Sequence, residues 1–320
     1  MRLVRRHVDP RGNMGRYVAR RLLLTIPVLI GASFLIFALV YALPGDPIRA
    51  LGGDRPLSPA VVAQLRDEFN LNDPLVIQYV KYVGDLLQGD LGTDFRGRPV
   101  SETIARVLPV TIRLALVAIA FEVLIGLVAG VLAGIRRNSF FDNLVLVSST
   151  LVVSIPILVL AFVSQFLFGL KLGWFPIAGT QEGLYSYLLP GLVLASGSLA
   201  YVARLTRTSL AENLRADYVR TARAKGLPGH TVVIRHTLRN SLIPVITFIG
   251  ADIGTLMGGA IVTESVFNLP GIGREVYNAV RAQEGAVVVG IVTLLVFFYI
   301  FFNLVVDVLY AVLDPRIRYD

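Results

Sequence analysis

Cysteine is absent from this 320-residue chain, which excludes disulfides, thiolate metal sites and cysteine nucleophiles. Histidine is scarce, with copies in arginine-rich segments at His7, His230 and His236. We therefore expect no metal site. Lysine is equally rare and occurs at Lys81, Lys171 and Lys225. None of these lysines lies in the Gly-x-x-x-x-Gly-Lys-Ser/Thr pattern of a phosphate-binding loop. The chain has no such loop, so we expect no catalytic site and no cofactor bound by this chain.

Charge is also sparse. Charged residues make up 16% of the chain and apolar residues 55%, with a mean hydropathy of +0.68, whereas soluble domains are about 45–50% apolar. The charges fall between long uncharged stretches, which is the arrangement that a bilayer imposes because charge at depth is costly. The composition indicates an integral membrane protein.

Six stretches are long enough to cross the hydrocarbon core, at roughly 20 residues per helix. They run from Leu22 to Leu43, Ile112 to Ile135, Asn143 to Leu170, Gly183 to Ala203, Asn240 to Thr263 and Gly285 to Val306. The third contains Pro156, where we expect a kink. The sequence therefore predicts an all-α, polytopic membrane protein with six transmembrane helices.

The distribution of basic residues predicts the orientation of these spans. The N-terminal tail, the second and fourth connections and the C-terminal tail together hold nineteen of the thirty basic residues, whereas Gly45 to Val110 has seven basic and nine acidic residues. We expect a multi-pass protein of the plasma (inner) membrane, with both termini in the cytoplasm. Membrane orientation explains the net charge of +8, so nucleic acid is not an expected partner.

This orientation divides the chain into segments. We expect a cytoplasmic tail (1–21), a first span (22–43), an external helical segment (44–111), a core of five spans (112–313) that carries a cytoplasmic loop at 204–240, and a cytoplasmic C-terminal tail (314–320).

The external segment contains two helix signals. Ser58-Pro59 supplies an N-cap followed by proline at the first helical position, and the helix should run to about Phe69. A second helix should start near Asp73-Pro74. Its apolar residues share one face at helical spacing: Val76, Tyr79, Val80, Val83, Leu86 and Leu87. That face either packs on the spans, lies on the bilayer surface, or belongs to a platform for an external protein, for which the candidate contacts are Ser58, Gln88 and Asp90.

The loop at 204–240 contains a short helix signal. Thr221, Ala222 and Ala224 lead to Gly226, with Pro228 just beyond. Glycine takes the left-handed cap conformation and proline stops the helix. The small residues leave a surface that another protein could approach closely, although a solvated basic loop would have a similar composition.

These residues carry a resemblance to a known family. The run Tyr218 to Leu227, followed by Arg235 to Pro244, resembles the coupling-loop signature of permease subunits of ATP-binding cassette (ABC) importers, and more narrowly that of the dipeptide and oligopeptide permeases. Other stretches are similar to the same group, at Leu43 to Pro47, Gly258 to Glu264, Pro270 to Gly273, Asp307 and Leu313 to Arg316. The resemblance covers nearly the whole chain and fits the permease type with a long external segment after the first span.

The resemblance implies the type I importer permease fold and a coupling helix that sits in a groove of a separate ATPase. The residues that it assigns to coupling are Tyr218, Arg220, Thr221, Ala222, Ala224, Lys225, Gly226 and Leu227. Ala222 and Gly226 match the second alanine and the glycine of the family's Glu-Ala-Ala-x-x-x-Gly motif, whereas Arg220 and Thr221 replace its first two residues. The Ile-x-Leu-Pro that usually follows is also altered, with His236 and Leu238 in that stretch.

The resemblance further implies the partners: a second homologous permease subunit in a heterodimer, two ATPase subunits that bind ATP and Mg, an external substrate-binding protein, and a di- or oligopeptide substrate. Nickel, haem or a glycoside is the alternative cargo. A self-sufficient secondary transporter is the rival class, but that class is expected to show internal repeats and several intramembrane charges.

Two acids lie at depth, Glu122 in the second span and Asp252 in the fifth. Either could line the translocation pathway or form a structural hydrogen bond. Glycines in the fifth span recur at a spacing near four, at Gly250, Gly254, Gly258 and Gly259. They permit close helix approach, which internal packing and a subunit contact would use equally well.

Overall fold

The computed structural model describes residues 10–42, 48 and 57–313. Over these residues the regular structure is helical, with one isolated bridge between Thr93 and Pro99. The helices are α1 Pro10–Ala42, α2 Pro59–Glu68, α3 Leu75–Leu87, α4 Val100–Ile135, α5 Phe140–Ser154, α6 Ile157–Lys171, α7 Leu188–Asn213, α8 Asp217–Ala224, α9 Gly229–Ser241, α10 Ile243–Val266, α11 Ile272–Arg281 and α12 Gly285–Leu313. The predicted all-α class is confirmed.

Within the described part of the chain, four helical segments are long and apolar enough to cross a membrane: Ala19–Tyr41, Val100–Ile135, Gly183–Asn213 and Gly285–Val306. Two bent pairs, α5 with α6 and α9 with α10, pass the same test together, with bends of 103° and 45°. Counting each bent pair as one span gives the six that the sequence predicts.

The break between α5 and α6 lies at Pro156, where a kink was expected. Ile155 is extended, with φ −91° and ψ 125°, and Pro156 precedes the first residue of α6. The residue before a proline avoids the helical region, because the pyrrolidine ring clashes with its backbone. The third span is therefore divided into two helices rather than bent within one.

Two helices continue past the apolar runs from which the spans were predicted. The second span was expected from Ile112, but α4 begins at Val100 and buries an amphipathic first stretch that includes Ile104 and Val107. The fourth was expected to end at Ala203, but α7 continues to Asn213. Residues 100–111 of the predicted external segment thus belong to helix α4, and residues 204–213 of the predicted loop belong to helix α7.

The two helices predicted between the first and second spans are present. Ser58 accepts a hydrogen bond from the Val61 backbone N–H, with Pro59 at the first position of α2, and Pro74 precedes α3. The predicted apolar face of α3 is only partly right, because Tyr79 is buried but Val76 and Leu87 are exposed. The Leu43 to Pro47 motif, both chain ends and most of 44–56 lie outside the described residues.

Glycines let α4 and α7 approach closely. A Cβ at Gly126 would lie 2.9 Å from Val202 Cγ1, and one at Gly130 would lie 2.6 Å from the Ala203 carbonyl oxygen. One at Gly134 would meet the Arg207 carbonyl and Leu210 at 3.1 Å. This spacing of four, which was not predicted, lines one face of α4.

The predicted glycine face of the fifth span divides into two parts. A Cβ at Gly250 would lie 2.5 Å from Val306 Cγ2 and one at Gly254 would lie 2.7 Å from Tyr299, so both serve packing of α10 on α12. Gly258 meets no atom within 4 Å. Internal packing therefore accounts for the first two glycines and leaves Gly258 on an open surface.

Candidate functional site

The predicted short helix is α8, which runs from Asp217 to Ala224. Asp217 lies in its first turn and Arg223 in its last, where their charges complement the helix dipole. The Tyr218 hydroxyl donates to Asn213 Oδ1 at 2.7 Å, which connects α8 to the end of α7. Local charge and this side-chain contact therefore stabilise an eight-residue helix that would be marginal in isolation.

Gly226 ends α8 as the sequence predicts. Its φ is +76°, a conformation that costs little only for glycine. The Gly226 N–H donates to the Arg223 carbonyl at 2.9 Å and the Leu227 N–H donates to the Ala222 carbonyl at 3.4 Å. These paired bonds satisfy carbonyls at the helix end in a Schellman arrangement.

Ala222 lies on the inner side of α8. It is 6% exposed and forms a small apolar cluster with Val219 and Val232. The expectation that Ala222 offers a surface for close approach by another protein therefore needs correction, because its side chain faces this chain's own α9. Small size at this position serves the packing of α8.

The other predicted coupling residues form the exposed face. We call this set the coupling face: Tyr218, Arg220, Thr221, Ala224, Lys225, Gly226 and Leu227. A Cβ at Gly226 would meet no atom within 4 Å, so this end of α8 is open. The coupling face combines two basic side chains with small residues, which suits a protein groove that supplies acidic groups.

A hydrogen bond joins the ends of the two spans that flank α8. Ser209 Oγ in α7 donates to the Ser241 carbonyl at 3.0 Å. Ser241 Oγ lies 2.9 Å from the Thr237 carbonyl and 3.4 Å from the Ser209 carbonyl. Both serines are buried. The segment that carries α8 is therefore attached at its base to both neighbouring spans.

The two acids predicted at depth are both buried. Glu122 is 0% exposed, and neither carboxyl oxygen has a hydrogen-bond partner among the described residues. Asp252 is 7% exposed, its Oδ2 has no hydrogen-bond partner among the described residues, and its carboxyl lies near Ser198 and Glu122. The structure brings these acids together in the packed interior of α4, α7 and α10, which favours the structural alternative over a pathway-lining role.

A third buried acid, Glu264, has several partners. Its Oε1 accepts from Thr111 Oγ1 at 2.6 Å, and its Oε2 accepts from the Arg274 backbone N–H at 3.0 Å. Thr111 Oγ1 in turn accepts from the Ile272 N–H at 2.8 Å. Glu264 therefore caps the start of α11 from α10, with a contact to α4. It lay within a motif that the sequence analysis quoted, but no role was assigned to it.

Gly271 belongs to the same contact. A Cβ built at this position would overlap the Glu264 carboxylate. A Cβ at Gly273 would lie 2.5 Å from the Ile261 Cα. The Pro-Gly-Ile-Gly stretch is thus explained by close approach of the start of α11 to α10 and its carboxylate.

An ion pair between α5 and α7 was not predicted. Arg207 donates to both carboxylate oxygens of Asp142, and its Nη2 lies 2.9 Å from Oδ2. Asp142 is 1% exposed and also accepts from the Asn138 backbone N–H. Arg207 was expected in the cytoplasmic loop at 204–240, so no buried partner was predicted for it.

The predicted contacts for an external protein have local roles as well. Ser58 caps α2, and Asp90 Oδ1 accepts from the Gly92 N–H at 2.8 Å. Gln88 is exposed at the end of α3. In the next turn, Asp94 is buried, which opposes its ionisation, but hydrogen bonds from Arg98 and Arg96 outweigh burial and hold its pKa below the usual value. The three predicted contacts, Ser58, Gln88 and Asp90, all remain exposed.

The geometry is that of a polytopic membrane protein, with long apolar helices and a short polar helix on a connection between two spans. Comparison with known proteins shows which class it belongs to. The sequence pattern of the binding-protein-dependent transport system inner membrane component family matches residues 126–319, and the pattern of the N-terminal part of such components matches residues 14–115. The chain belongs to this family.

Several curated relatives match nearly the whole chain. The dipeptide transport system permease protein DppB of Alkalihalophilus pseudofirmus is 38% identical over 95% of this chain and 99% of its own. The di/tripeptide transport system permease protein DppB of Pseudomonas aeruginosa is 39% identical over 95% and 99%. The glutathione transport system permease protein GsiC of Salmonella paratyphi A is 41% identical over 96% and 100%.

A solved structure supports the fold. The inward-facing MetNI methionine ABC transporter matches 66% of this chain and 96% of its own chain, with a TM-score of 0.55 and 19% identity. The predicted type I ABC importer permease fold is therefore confirmed. The chain is a multi-pass inner membrane protein and a permease subunit of an ABC importer.

Proposed function

We propose that this subunit translocates di- or oligopeptides into the cell by alternating access, driven by separate ATPase subunits that bind ATP and Mg. The observation that carries the proposal is α8, a short helix with an exposed basic face. Beside it, the Ser209 hydroxyl of α7 donates to the Ser241 carbonyl at the end of α9, which joins the two spans that flank α8. A displacement of α8 would be passed to the ends of α7 and α10.

The peptide cargo is supported by the names of the relatives. Two are named for dipeptides or di/tripeptides and one for glutathione, which is itself a tripeptide derivative. The same assembly with nickel, haem or a glycoside as cargo is the alternative. The identity of a ligand that co-purifies with the external binding protein would distinguish these cargoes.

The proposed assembly contains a second homologous permease, two ATPases and the external binding protein. Both termini lie in the cytoplasm, as the basic residues indicate. The exposed Gly258 on α10 is available for contact with the second permease. A secondary transporter would work without ATPase partners, so uptake that persists after ATP depletion with the ion gradients intact would favour that class.

The experiment that tests the coupling role compares Gly226→Asp with Arg215→Asp. Position 226 has φ +76° and open surroundings, so a side chain there strains the backbone and enters the coupling face while the membrane core is untouched. Arg215 is exposed just before α8 and provides a control for the change of charge. Uptake, ATP turnover and co-purification of the ATPases are measured for each.

We expect Gly226→Asp to yield a membrane-inserted permease that has lost its ATPases, or that hydrolyses ATP without uptake. Arg215→Asp should retain both activities. Normal uptake and ATP turnover by Gly226→Asp would remove the coupling role of α8.

A further inference from the structure

Helix α3 is attached to the sides of two spans. The Tyr79 hydroxyl donates to the Ile30 carbonyl at 3.0 Å and lies 2.8 Å from Ser33 Oγ. The Tyr82 hydroxyl donates to Thr293 Oγ1 at 3.1 Å. These partners belong to α1 and α12, so α3 packs against the outer surface of these two helices.

The partners also set the depth of α3. Ile30 is the central residue of the candidate span Ala19–Tyr41, and Thr293 lies eight residues inside Gly285–Val306. At 1.5 Å per residue, Ile30 lies about 17 Å and Thr293 about 12 Å from the ends of their spans. A hydrocarbon core is about 30 Å thick. Tyr79 and Tyr82 of α3 therefore reach partners that lie within the hydrocarbon core, and the backbone of α3 is one tyrosine side chain away from those partners.

Three different surfaces run along α3. The inner face packs on the spans and consists of Leu75, Tyr79, Tyr82, Val83 and Leu86. The apolar flank has exposed side chains spaced by four and seven residues, which places them on one side of the helix: Val76, Val80 and Leu87. The polar flank, on the other side, consists of Gln78, Lys81 and Asp85.

The exposure of the apolar flank is large, at 62% for Val76, 63% for Val80 and 84% for Leu87. The neighbouring α1 also presents exposed apolar residues, with Ile30 53% and Phe34 39% exposed. Phe34 packs edge to face on Tyr79, with ring centroids 5.0 Å apart. Exposed apolar residues of α1 therefore lie beside the helix that carries the apolar flank.

We propose that α3 is an interfacial membrane helix, whose apolar flank inserts into the hydrocarbon edge of the bilayer while its polar flank faces water. The amphipathic division along the helix is the pattern expected of a helix lying in the plane of the interface. Lys81 fits this position because its ammonium reaches to Asp73 Oδ2 and Asn70 Oδ1, both at 2.6 Å, at the polar end of the helix. With the proposed orientation, this is the outer leaflet.

Under this proposal, the apolar flank contacts lipid and not a protein partner. A platform for the external binding protein would have to use the polar flank and the turn that follows, where Gln88 and Asp90 are exposed. It would not use Val80 or Leu87.

Nitroxide labels at single cysteines test the proposal, because this chain has no cysteine of its own. Val80→Cys and Leu87→Cys report on the apolar flank, and Asp85→Cys is the matched control on the polar flank. The complete complex, with cysteines of the partner subunits replaced, is placed in phosphatidylethanolamine and phosphatidylglycerol vesicles. The accessibility of each label to molecular oxygen and to a water-soluble nickel chelate is measured by electron paramagnetic resonance.

We expect labels at positions 80 and 87 to collide often with oxygen and rarely with the nickel chelate, and the label at 85 to show the reverse. Equal access of all three labels to the chelate would overturn the proposal by placing the flank in water. Low access of labels 80 and 87 to both reagents would also overturn it, since a protein partner would then cover the flank. Neither result depends on the cargo or on ATP.

Discussion

Glu122 and Glu264 are both acids buried among the spans, and their surroundings differ. Glu264 accepts hydrogen bonds from Thr111 and from the start of α11, whereas both oxygens of Glu122 lack a partner in the described chain. A buried carboxyl without partners is costly when charged. The two residues therefore have opposite sensitivities to substitution, although both are 0% exposed.

We expect Glu264→Ala to destabilise the protein. The substitution removes the acceptor of Thr111 Oγ1 and of the Arg274 N–H, and each buried group left unpaired costs about 1–3 kcal/mol. The measurement is the thermal unfolding midpoint of the purified complex. Glu182→Ala, which removes an exposed acid, is the control and should leave the midpoint unchanged. Equal midpoints for both variants would show that Glu264 does not anchor α11.

Glu122→Gln should preserve uptake. The amide has nearly the same volume as the carboxyl and carries no charge, and Glu122 has no exposed surface through which a substrate could reach it. Peptide uptake by cells that produce equal amounts of each variant is the measurement, with Asp252→Asn beside it. Loss of uptake with a normal complex would return Glu122 to the pathway.

Among the single elements, α8 has one buried face and one exposed face. Its inner face packs on α9 through Val219, Ala222 and Val232, and its outer face is exposed. The capped end at Gly226 was predictable, because glycine followed by proline has one structural meaning at a helix end. Which alanine points inward was not predictable from composition, since it depends on where α9 lies.

Ala222→Leu and Ala224→Leu make a matched pair on these faces. Leucine at 222 overpacks the cluster with Val219 and Val232, which typically costs about 1–3 kcal/mol, so α8 should exchange its amide hydrogens faster. Leucine at 224 enters the exposed face, so exchange should stay normal while the ATPases are lost. Hydrogen exchange and co-purification are the two readouts. The reverse assignment of these effects would contradict the inner and outer faces described above.

The ion pair between α5 and α7 gives a further prediction. Asp142→Asn leaves the Arg207 guanidinium without its charge partner, and breaking a buried pair costs about 3–5 kcal/mol. We expect a lower unfolding midpoint for this variant. Adding Arg207→Gln should recover part of the loss, because the unpaired charge is removed. Additive losses in the double variant would show that the two side chains do not interact.

The locations of the helices were predictable from the sequence, but the residues at which they begin and end were not. The apolar runs correctly predicted the location of the spans, because hydrocarbon requires them. They ended too early at Ala203 and began too late at Ile112, because the additional turns of α7 and α4 are buried by neighbouring helices rather than by lipid. Buried pairs such as Asp142 with Arg207 were missed for a related reason, since each partner is far away in sequence.

For the whole molecule, orientation remains the prediction with the widest consequences. The asymmetry of basic residues predicts that both termini lie in the cytoplasm, with the α3 end outside and α8 inside. Gln88→Cys should therefore react with an impermeant maleimide in intact cells, and Arg215→Cys should react only after lysis. Both positions are exposed in the structure. Labelling of position 215 in intact cells would show that the topology is the reverse of the predicted one.

The glycine contact between α4 and α7 has a mechanical consequence. Gly126, Gly130 and Gly134 each lie against atoms of α7, so the two helices interlock over two turns. Sliding one along the other would drive Thr206 or Val202 into backbone, which close-packed interiors do not permit in small steps. We therefore expect the pair to move as one rigid body. Three residues separate α7 from α8, so a rotation applied at α8 would reach Val100, at the far end of α4, without the two helices sliding past each other.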